Sequence, residues 1–263
     1  MDWLETDGVG LRYELTGEGP DTHVLVHEMG CTLESYDLVR PLLPPGLRVL
    51  RFDTRGAGLS TKLRGTAEIA VMAGDIARLL SAAGIDTPVT ISGGAVGGAI
   101  ALQFTADHPE RTRGAVVFGP ATGIPDERRQ LILDYADQVE AAGMASVVDA
   151  ELARAYPENL RGDAVRFRRF RARWLANDPS SYAAIFRMLA GLDMTAALAG
   201  IRCPCLFVAG ESDPLRPPEL IEPLSRRVAG AQFRSAATGH FAATQTPELV
   251  AEILGGFIAG LPA

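Results

Sequence analysis

Residues 89–102 read VTISGGAVGGAIAL, and this stretch decides the fold. A β-branched run ends in a glycine pair. A small residue follows, then two more glycines that open an apolar helix. The pattern is a strand turning sharply into a helix, the G-x-nucleophile-x-G elbow, with Gly93 and Gly97 as its flanking glycines. Such a turn lifts one side chain clear of the sheet. Its backbone is strained at the apex, and the glycines relieve crowding there. The apex residue is Ala95, and a methyl group cannot attack a carbonyl. The chain is therefore an enzyme without its nucleophile or a binding protein on an enzyme's frame.

Strands and helices alternate on both sides of the elbow. Period and composition predict strands over 9–15, 23–27 (HVLVH), 47–52 (LRVLRF), 89–92, 114–118 (GAVVF), 205–209 (CLFVA) and 232–235. Helices are expected over 33–43, stopped by Pro44-Pro45, over 66–83, and from the elbow to about His108. Two more follow over 218–228 and 247–259. Between 124 and 199 the strand signal disappears, and the stretch reads as helices broken at Pro157 and Pro179. The alternation implies an α/β fold, a mainly parallel central sheet with helices on both faces. The core is expected over 1–123 and 200–263, with 124–199 inserted as a helical cap.

The chain has 263 residues, enough for one domain with an insertion. Its 25 basic and 32 acidic residues leave a net charge of −7, which argues against a nucleic-acid partner. No apolar stretch is long enough to span a bilayer. The first residues carry acids and lack a basic region before an apolar block, so they do not read as a secretory signal. Cys31, Cys203 and Cys205 form no metal-like array and read as free thiols. A cytoplasmic location is expected, with no cofactor, no metal and no membrane partner. The choice between monomer and homodimer stays open.

Three chemical positions fall where ligands bind in open α/β sheets, at the carboxyl ends of strands. Ala95 is the first, Asp213 in VAGESDPLRPPE the second, and His240 in ATGHFAATQTPE the third. Acyl transfer needs a base to take the nucleophile's proton and a carboxylate to hold that base. His240 and Asp213 supply both, with Glu211 a nearby competitor for the acid. The loop His27-Glu28-Met29-Gly30 is placed to receive an oxyanion, with the backbone N–H groups of Met29 and Val96 as donors. One such donor can be worth on the order of 3 kcal/mol. A carboxylate at Glu28 would oppose that charge, so its side chain is expected to turn to the loop's own backbone or to solvent; the sharper alternative is a substrate contact or a second proton carrier. His23 begins a strand, His27 shapes its loop, and His108 caps a helix. Ser92 lies before the turn and should be packed within the strand.

VLVHEMGCTLESYD, RVLRFDTRGAGLS, ISGGAVGGAIALQFTADHPERTRGAVV and CLFVAGESDPLRPPE followed by TGHF together resemble the α/β-hydrolase superfamily. Within it the chain is similar to the 3-oxoadipate enol-lactonases. The likeness covers nearly the whole chain, and AAGMASVVDAELARAY and NDPSSYAAIFRMLAGLDM are similar to that family's cap. It implies Ala95 at the nucleophile position, Asp213 as acid, His240 as base, and Met29 and Val96 as oxyanion donors. The chain departs from the family twice: alanine stands for serine at 95, and Glu28 stands where small residues are usual.

Ser→Ala deletes one oxygen and keeps the fold. The retained acid, base and glycines favour a serine hydrolase of a small lactone, ester or amide whose nucleophile has been removed. A non-catalytic protein that binds a small ligand is the alternative. So is a dehalogenase or epoxide hydrolase whose nucleophilic aspartate is missing. In the cap, RGDAVRFRRFRARW (161–174) puts Phe167, Phe170 and Trp174 on one helical face, with Arg166, Arg169 and Arg173 beside it. The arginines read as a solvated basic face, or as one clamp for an anionic substrate. Tyr36, Tyr135, Trp174, Tyr182, Phe186 and Met188 are candidates to line an apolar pocket, with Glu28 a candidate polar contact; as core residues they would look the same.

Overall fold

The computed structural model describes residues 1–262. Among these, eight strands form one sheet: β1 (Asp2–Thr6), β2 (Val9–Thr16), β3 (Thr22–Val26), β4 (Arg48–Phe52), β5 (Val89–Gly94), β6 (Thr112–Phe118), β7 (Cys205–Gly210) and β8 (Gln232–Ala236). Their spatial order is β1-β2-β4-β3-β5-β6-β7-β8. The pairs β1–β2 and β2–β4 are antiparallel, and the rest of the ladder is parallel. Strand β1 is absent from the sequence reading. Its signal is the Asp7-Gly8 dipeptide, both residues at positive φ, which closes the hairpin to β2.

The helices are α1 (Ile69–Ala82), α2 (Ala95–Asp107), α3 (Asp126–Ala142), α4 (Val148–Ala155), α5 (Ala164–Leu175), α6 (Pro179–Ala190), α7 (Thr195–Gly200), α8 (Pro218–Ser225), α9 (Ala242–Gln245) and α10 (Pro247–Ala259). Alternation along each strand sends side chains to opposite faces. Val24 and Val26 pack with Ile76 of α1, Ile100 of α2 and Ile221 of α8. Leu25, between them, packs with Val250 and Leu254 of α10. Helices therefore cover both faces, as a parallel sheet requires. None of the described helices is long and apolar enough to cross a membrane.

The helix expected over 33–43 does not form. Two short 3-10 turns, Leu33–Tyr36 and Arg40–Leu42, take its place. Pro41 lacks an N–H and obstructs a continuous helix. The backbone of Leu33 is also engaged elsewhere: its N–H donates to Asp53 Oδ1 at 2.9 Å, and its carbonyl accepts from Arg51 at 3.1 Å. Pro179 begins α6 at its first position, where a missing N–H costs nothing, and Asp178 caps that helix through Ser181 N–H at 2.8 Å.

The helical segment from α3 to α7 enters the chain between β6 and β7. It holds its own apolar cluster, in which Val139, Leu152, Tyr156, Phe170 and Trp174 are buried. Asp163 caps α5 by accepting from the N–H groups of Val165 and Arg166 at 3.0 and 2.9 Å. Phe167, Phe170 and Trp174 do share the inward side of α5.

Strand β5 meets α2 with almost no room. A Cβ on Gly97 would stand 2.3 Å from the His27 carbonyl oxygen and 2.4 Å from that of Val26; one on Gly93 would stand 2.4 Å from the Gly97 carbonyl. These atoms are backbone and cannot rotate aside. Gly97→Ala is therefore expected to cost about 4 kcal/mol or more, or to prevent folding, measured by urea unfolding of the purified variant.

Candidate active site

The elbow forms as its glycines require. Gly94 is the last residue of β5 and Ala95 the first of α2, with φ of +47° at Ala95. A left-handed conformation costs an L-residue roughly 1–2 kcal/mol, and this turn imposes it. Val96 follows in the first helical turn, where a backbone N–H has no acceptor inside its own helix. Ser92 sits three residues back, buried, with its Oγ 2.9 Å from His23 Nε2. The other ring nitrogen of His23 meets Thr90 Oγ1 at 2.7 Å. Burial holds this imidazole down to about 3, so it is neutral and structural.

Asp213 lies just beyond β7. Its Oδ1 accepts from the N–H groups of Leu215 and Arg216 at 2.9 and 3.1 Å. Its Oδ2 lies 2.9 Å from Nδ1 of His240, on the loop after β8. Burial pushes the Asp213 carboxyl up, but the charge and hydrogen bond of His240 and the two amides outweigh it, and the group sits below the usual aspartate range. This bond fixes Nδ1 as the protonated nitrogen and leaves Nε2 free to accept. Glu211 is exposed and reaches Ser235 Oγ at 3.1 Å, so it does not compete for the imidazole.

His27 does shape its loop. Its Nε2 accepts from Thr54 N–H at 3.0 Å, so Nδ1 carries the proton and donates to the Glu28 carbonyl at 2.8 Å. The same carbonyl accepts from Cys31 N–H at 3.0 Å. Gly30, at φ +79°, completes the turn; a Cβ there would lie 2.6 Å from Trp174 Nε1.

These pieces meet at one cavity of about 280 Å³. Met29, Ala95, Val96 and His240 line it from the sheet side. Tyr135, Trp174, Tyr182 and Phe186 line it from the helical segment. Two expected lining residues do not reach it. Tyr36 packs in the cluster on the opposite face of the sheet, and its hydroxyl donates to the Val26 carbonyl at 3.1 Å. Met188 is buried in the main core beneath α6. No arginine of the 161–174 run lines the cavity either. Arg166 reaches the Thr244 and Gln245 carbonyls, and Arg171 pairs with Asp149. The cavity arginines are instead Arg128, Arg154 and Arg216, which sequence reasoning missed. Arg154 is paired with Glu151, while Arg128 and Arg216 form no ion pair among the described residues. The available signal was the position of Arg216, three residues beyond Asp213 in a loop at a strand end.

Glu28 takes the first of its two expected orientations: its carboxyl turns back to its own loop, toward its own N–H and Cys31, with 2% of its surface exposed, and it is not a wall of the cavity. Its carboxyl fills the space that a side chain at Gly94 would take; a Cβ on Gly94 would stand 2.7 Å from both its Cγ and Oε1. Burial raises the carboxyl to about 7, with its own N–H, His240 and Cys31 pulling the other way.

A mainly parallel sheet, an elbow after β5, and an acid–histidine pair after β7 and β8 define an α/β-hydrolase. The sequence pattern of the family described as serine aminopeptidase, S33, matches residues 21–238, and the chain belongs to that family of hydrolases. The 3-oxoadipate enol-lactonase 1 of Acinetobacter baylyi is 27% identical over 212 residues, spanning 80% of this chain and 78% of that protein. A thermophilic esterase from Thermogutta terrifontis, solved with malate bound, superposes with a TM-score of 0.90 at 25% identity, over 98% of each chain. The enol-lactonase from Burkholderia xenovorans LB400 gives 0.91 at 23% identity, over 98% of this chain and all of that one (100%). The similarity to enol-lactonases is thus present in both sequence and fold.

The raised Glu28 carboxyl has a consequence for stability. Between the ordinary glutamate value of 4.5 and about 7, the folded protein holds a proton that the unfolded chain has released. Stability therefore falls as pH rises through this window. Glu28→Gln, which cannot ionise, is expected to be more stable than the parent above neutrality, by on the order of 3 kcal/mol, with the gain vanishing in mild acid. Urea midpoints of both proteins across pH measure it.

Proposed function

We propose that the chain is the frame of a serine-type hydrolase of small lactones, esters or amides, inactive as written because Ala95 occupies the nucleophile position. The observation that carries this reading is the 2.9 Å Asp213–His240 bond, with Ala95 and His240 on the wall of one cavity. With serine at 95, Nε2 of His240 accepts the hydroxyl proton as oxygen attacks the carbonyl carbon. The tetrahedral oxyanion rests on the N–H groups of Met29 and Val96. The protonated imidazole returns its proton to the leaving group. Water, deprotonated by the same nitrogen, then releases the acid from the acyl-enzyme. Asp213 holds the imidazole and stabilises its charged form. Core residues 1–123 and 200–263 carry this machinery, and 124–199 cap it. The cap reading is supported by the four aromatic walls from the helical segment.

Ala95→Ser is expected to give esterase turnover on a short aryl ester on the order of 10³-fold above the alanine chain, and His240→Ala in that background to remove it. A restored serine without activity across an ester, lactone and amide panel sinks the proposal. It would leave the second reading, a ligand-binding protein, which the intact cavity of the alanine chain itself favours.

Arg216 supports a substrate with a negative group. Burial lowers the proton affinity of its guanidinium, Asp213 opposes this, and Arg128 adds to it. Both Asp213 oxygens already have partners, so this guanidinium is free to meet a carboxylate in the cavity. Calorimetric titration of the alanine chain with monomethyl adipate and dimethyl adipate measures the preference. The acid is expected to bind about tenfold more tightly or better, with the difference lost in Arg216→Met.

A further inference from the structure

A second hollow opens beside the cavity that holds His240, and the acyl-transfer scheme leaves it unused. It is a cleft of about 560 Å³. The loop after β6, the turn after α6 and one face of α8 line it. It thus lies at the carboxyl ends of β6 and β7, where ligands bind in open α/β sheets. Its base is hydrogen-bonded across two loops: Gly123 and Asp193 form an isolated antiparallel bridge, and Met194 N–H donates to the Thr122 carbonyl at 3.3 Å. Leu192, Ile221 and Leu224 give it apolar surface. The first cavity, at about 280 Å³, is by itself at the small end of ligand sites, which span roughly 300–1,000 Å³.

The two hollows share a wall. Ile124, Pro125 and Arg216 line both. On α3, Arg128 lines the first cavity and Arg129 lines the cleft. Arg216 is anchored at the reacting end. Its N–H donates to Asp213 Oδ1 at 3.1 Å, and Gly119 leaves room for its stem, since a Cβ there would stand 3.0 Å from that of Arg216. The cleft also carries three acids and three arginines. Asp126 and Glu219 sit in the first turns of α3 and α8, and Asp193 accepts from Thr195 N–H at 2.8 Å where α7 begins. Each acid thus has a helix start to stabilise. The arginines have no such partner. Arg129 and Arg216 form no ion pair among the described residues, and Arg227, just past α8, reaches only the Thr195 hydroxyl, at 3.4 Å. Uncommitted guanidinium groups on opposite rims of an apolar floor suit a chain that ends in a negative group.

We propose that the cleft is a second compartment of one binding site, which takes the far, negatively charged end of a long-chain carboxylic acid whose ester or lactone carbonyl sits beside His240. The inference rests on the hydrolase reading for the reacting end. A short acid meets Arg216 at the common wall. In a longer one the chain passes the stem of Arg216, lies on the apolar floor, and ends between Arg129 of α3 and Arg227 beyond α8. The substrate is then selected by length as well as by charge.

Binding is measured in the alanine chain itself, where no turnover is needed. Calorimetric titration compares monomethyl sebacate with its shorter homologue, monomethyl adipate. The longer acid is expected to bind about tenfold more tightly or better, because its added methylenes leave water for the floor of the cleft. Leu220→Trp fills the cleft from α8 and should bring the ratio of the two affinities close to one; Pro223→Trp serves the same purpose if Leu220→Trp does not fold. Arg129→Met together with Arg227→Met should weaken the longer acid about tenfold, toward the affinity of dimethyl sebacate. No advantage of length in the parent, or one that survives filling of the cleft, overturns the proposal. So does a longer acid indifferent to the loss of both arginines. A crystal of the alanine chain with monomethyl sebacate should show the carboxylate between Arg129 and Arg227; a carboxylate outside the cleft counts against it. If Ala95→Ser is inactive, the hydrolase reading fails while these titrations still decide the cleft.

Discussion

The whole site depends on how closely α2 approaches β3. Gly97 lets the helix backbone lie against the carbonyls of Val26 and His27, and Gly93 lets the strand lie against the helix. That contact places the start of α2 beside the loop after β3. It therefore puts the backbone of Val96 beside that of Met29, and both beside residue 95. No side chain creates this arrangement. It follows from the absence of two Cβ atoms and from a left-handed apex. Alanine at 95 holds this strained backbone and presents a methyl group at the apex.

Around this contact, buried polar groups hold the loops still. Asp53 is wholly buried, and its two oxygens take the Leu33 and Leu59 amides together with Arg12. Gly58 lets it fit, since a Cβ there would stand 2.1 Å from Oδ2. Arg55 grips Asp75 of α1 with two bonds, at 2.6 and 2.7 Å. His27 ties the loop over 53–60 (DTRGAGLS), through Thr54, to the loop carrying Met29. Leu59 belongs to the same loop as Asp53, but the Leu33, Arg12, Asp75 and His27 partners lie on other elements, so tertiary structure as well as local turns positions these loops.

Much of this was legible in the chain. The strand cores, the elbow, the acid and the histidine all carry local signals: an apolar run, a glycine pair, a turn at a strand end. The closing helix Pro247–Ala259 was read to the residue, because Pro at its first position marks its start. What escaped depends on direction in space. Tyr36 and Trp174 are both large aromatics near a strand or helix end, yet one faces the far side of the sheet and the other faces the cavity. Composition does not distinguish them. Arg128 and Arg216 come from segments far apart in sequence, and only the fold makes them neighbours in one wall. Glu28 was recognised as odd, but its inward turn depends on Gly94, a vacancy on another strand.

Trp174 rests where Gly30 has no side chain, and Asn177, three residues on, donates to the Gly30 carbonyl at 2.8 Å. One end of α5 is thereby fastened to the loop that carries Met29. The tryptophan also forms part of the wall that the helical segment gives the cavity. Moving that wall aside would drag the loop that carries Met29 with it. Access to the cavity and the position of the Met29 loop are thus joined by one linkage, and neither shifts without the other.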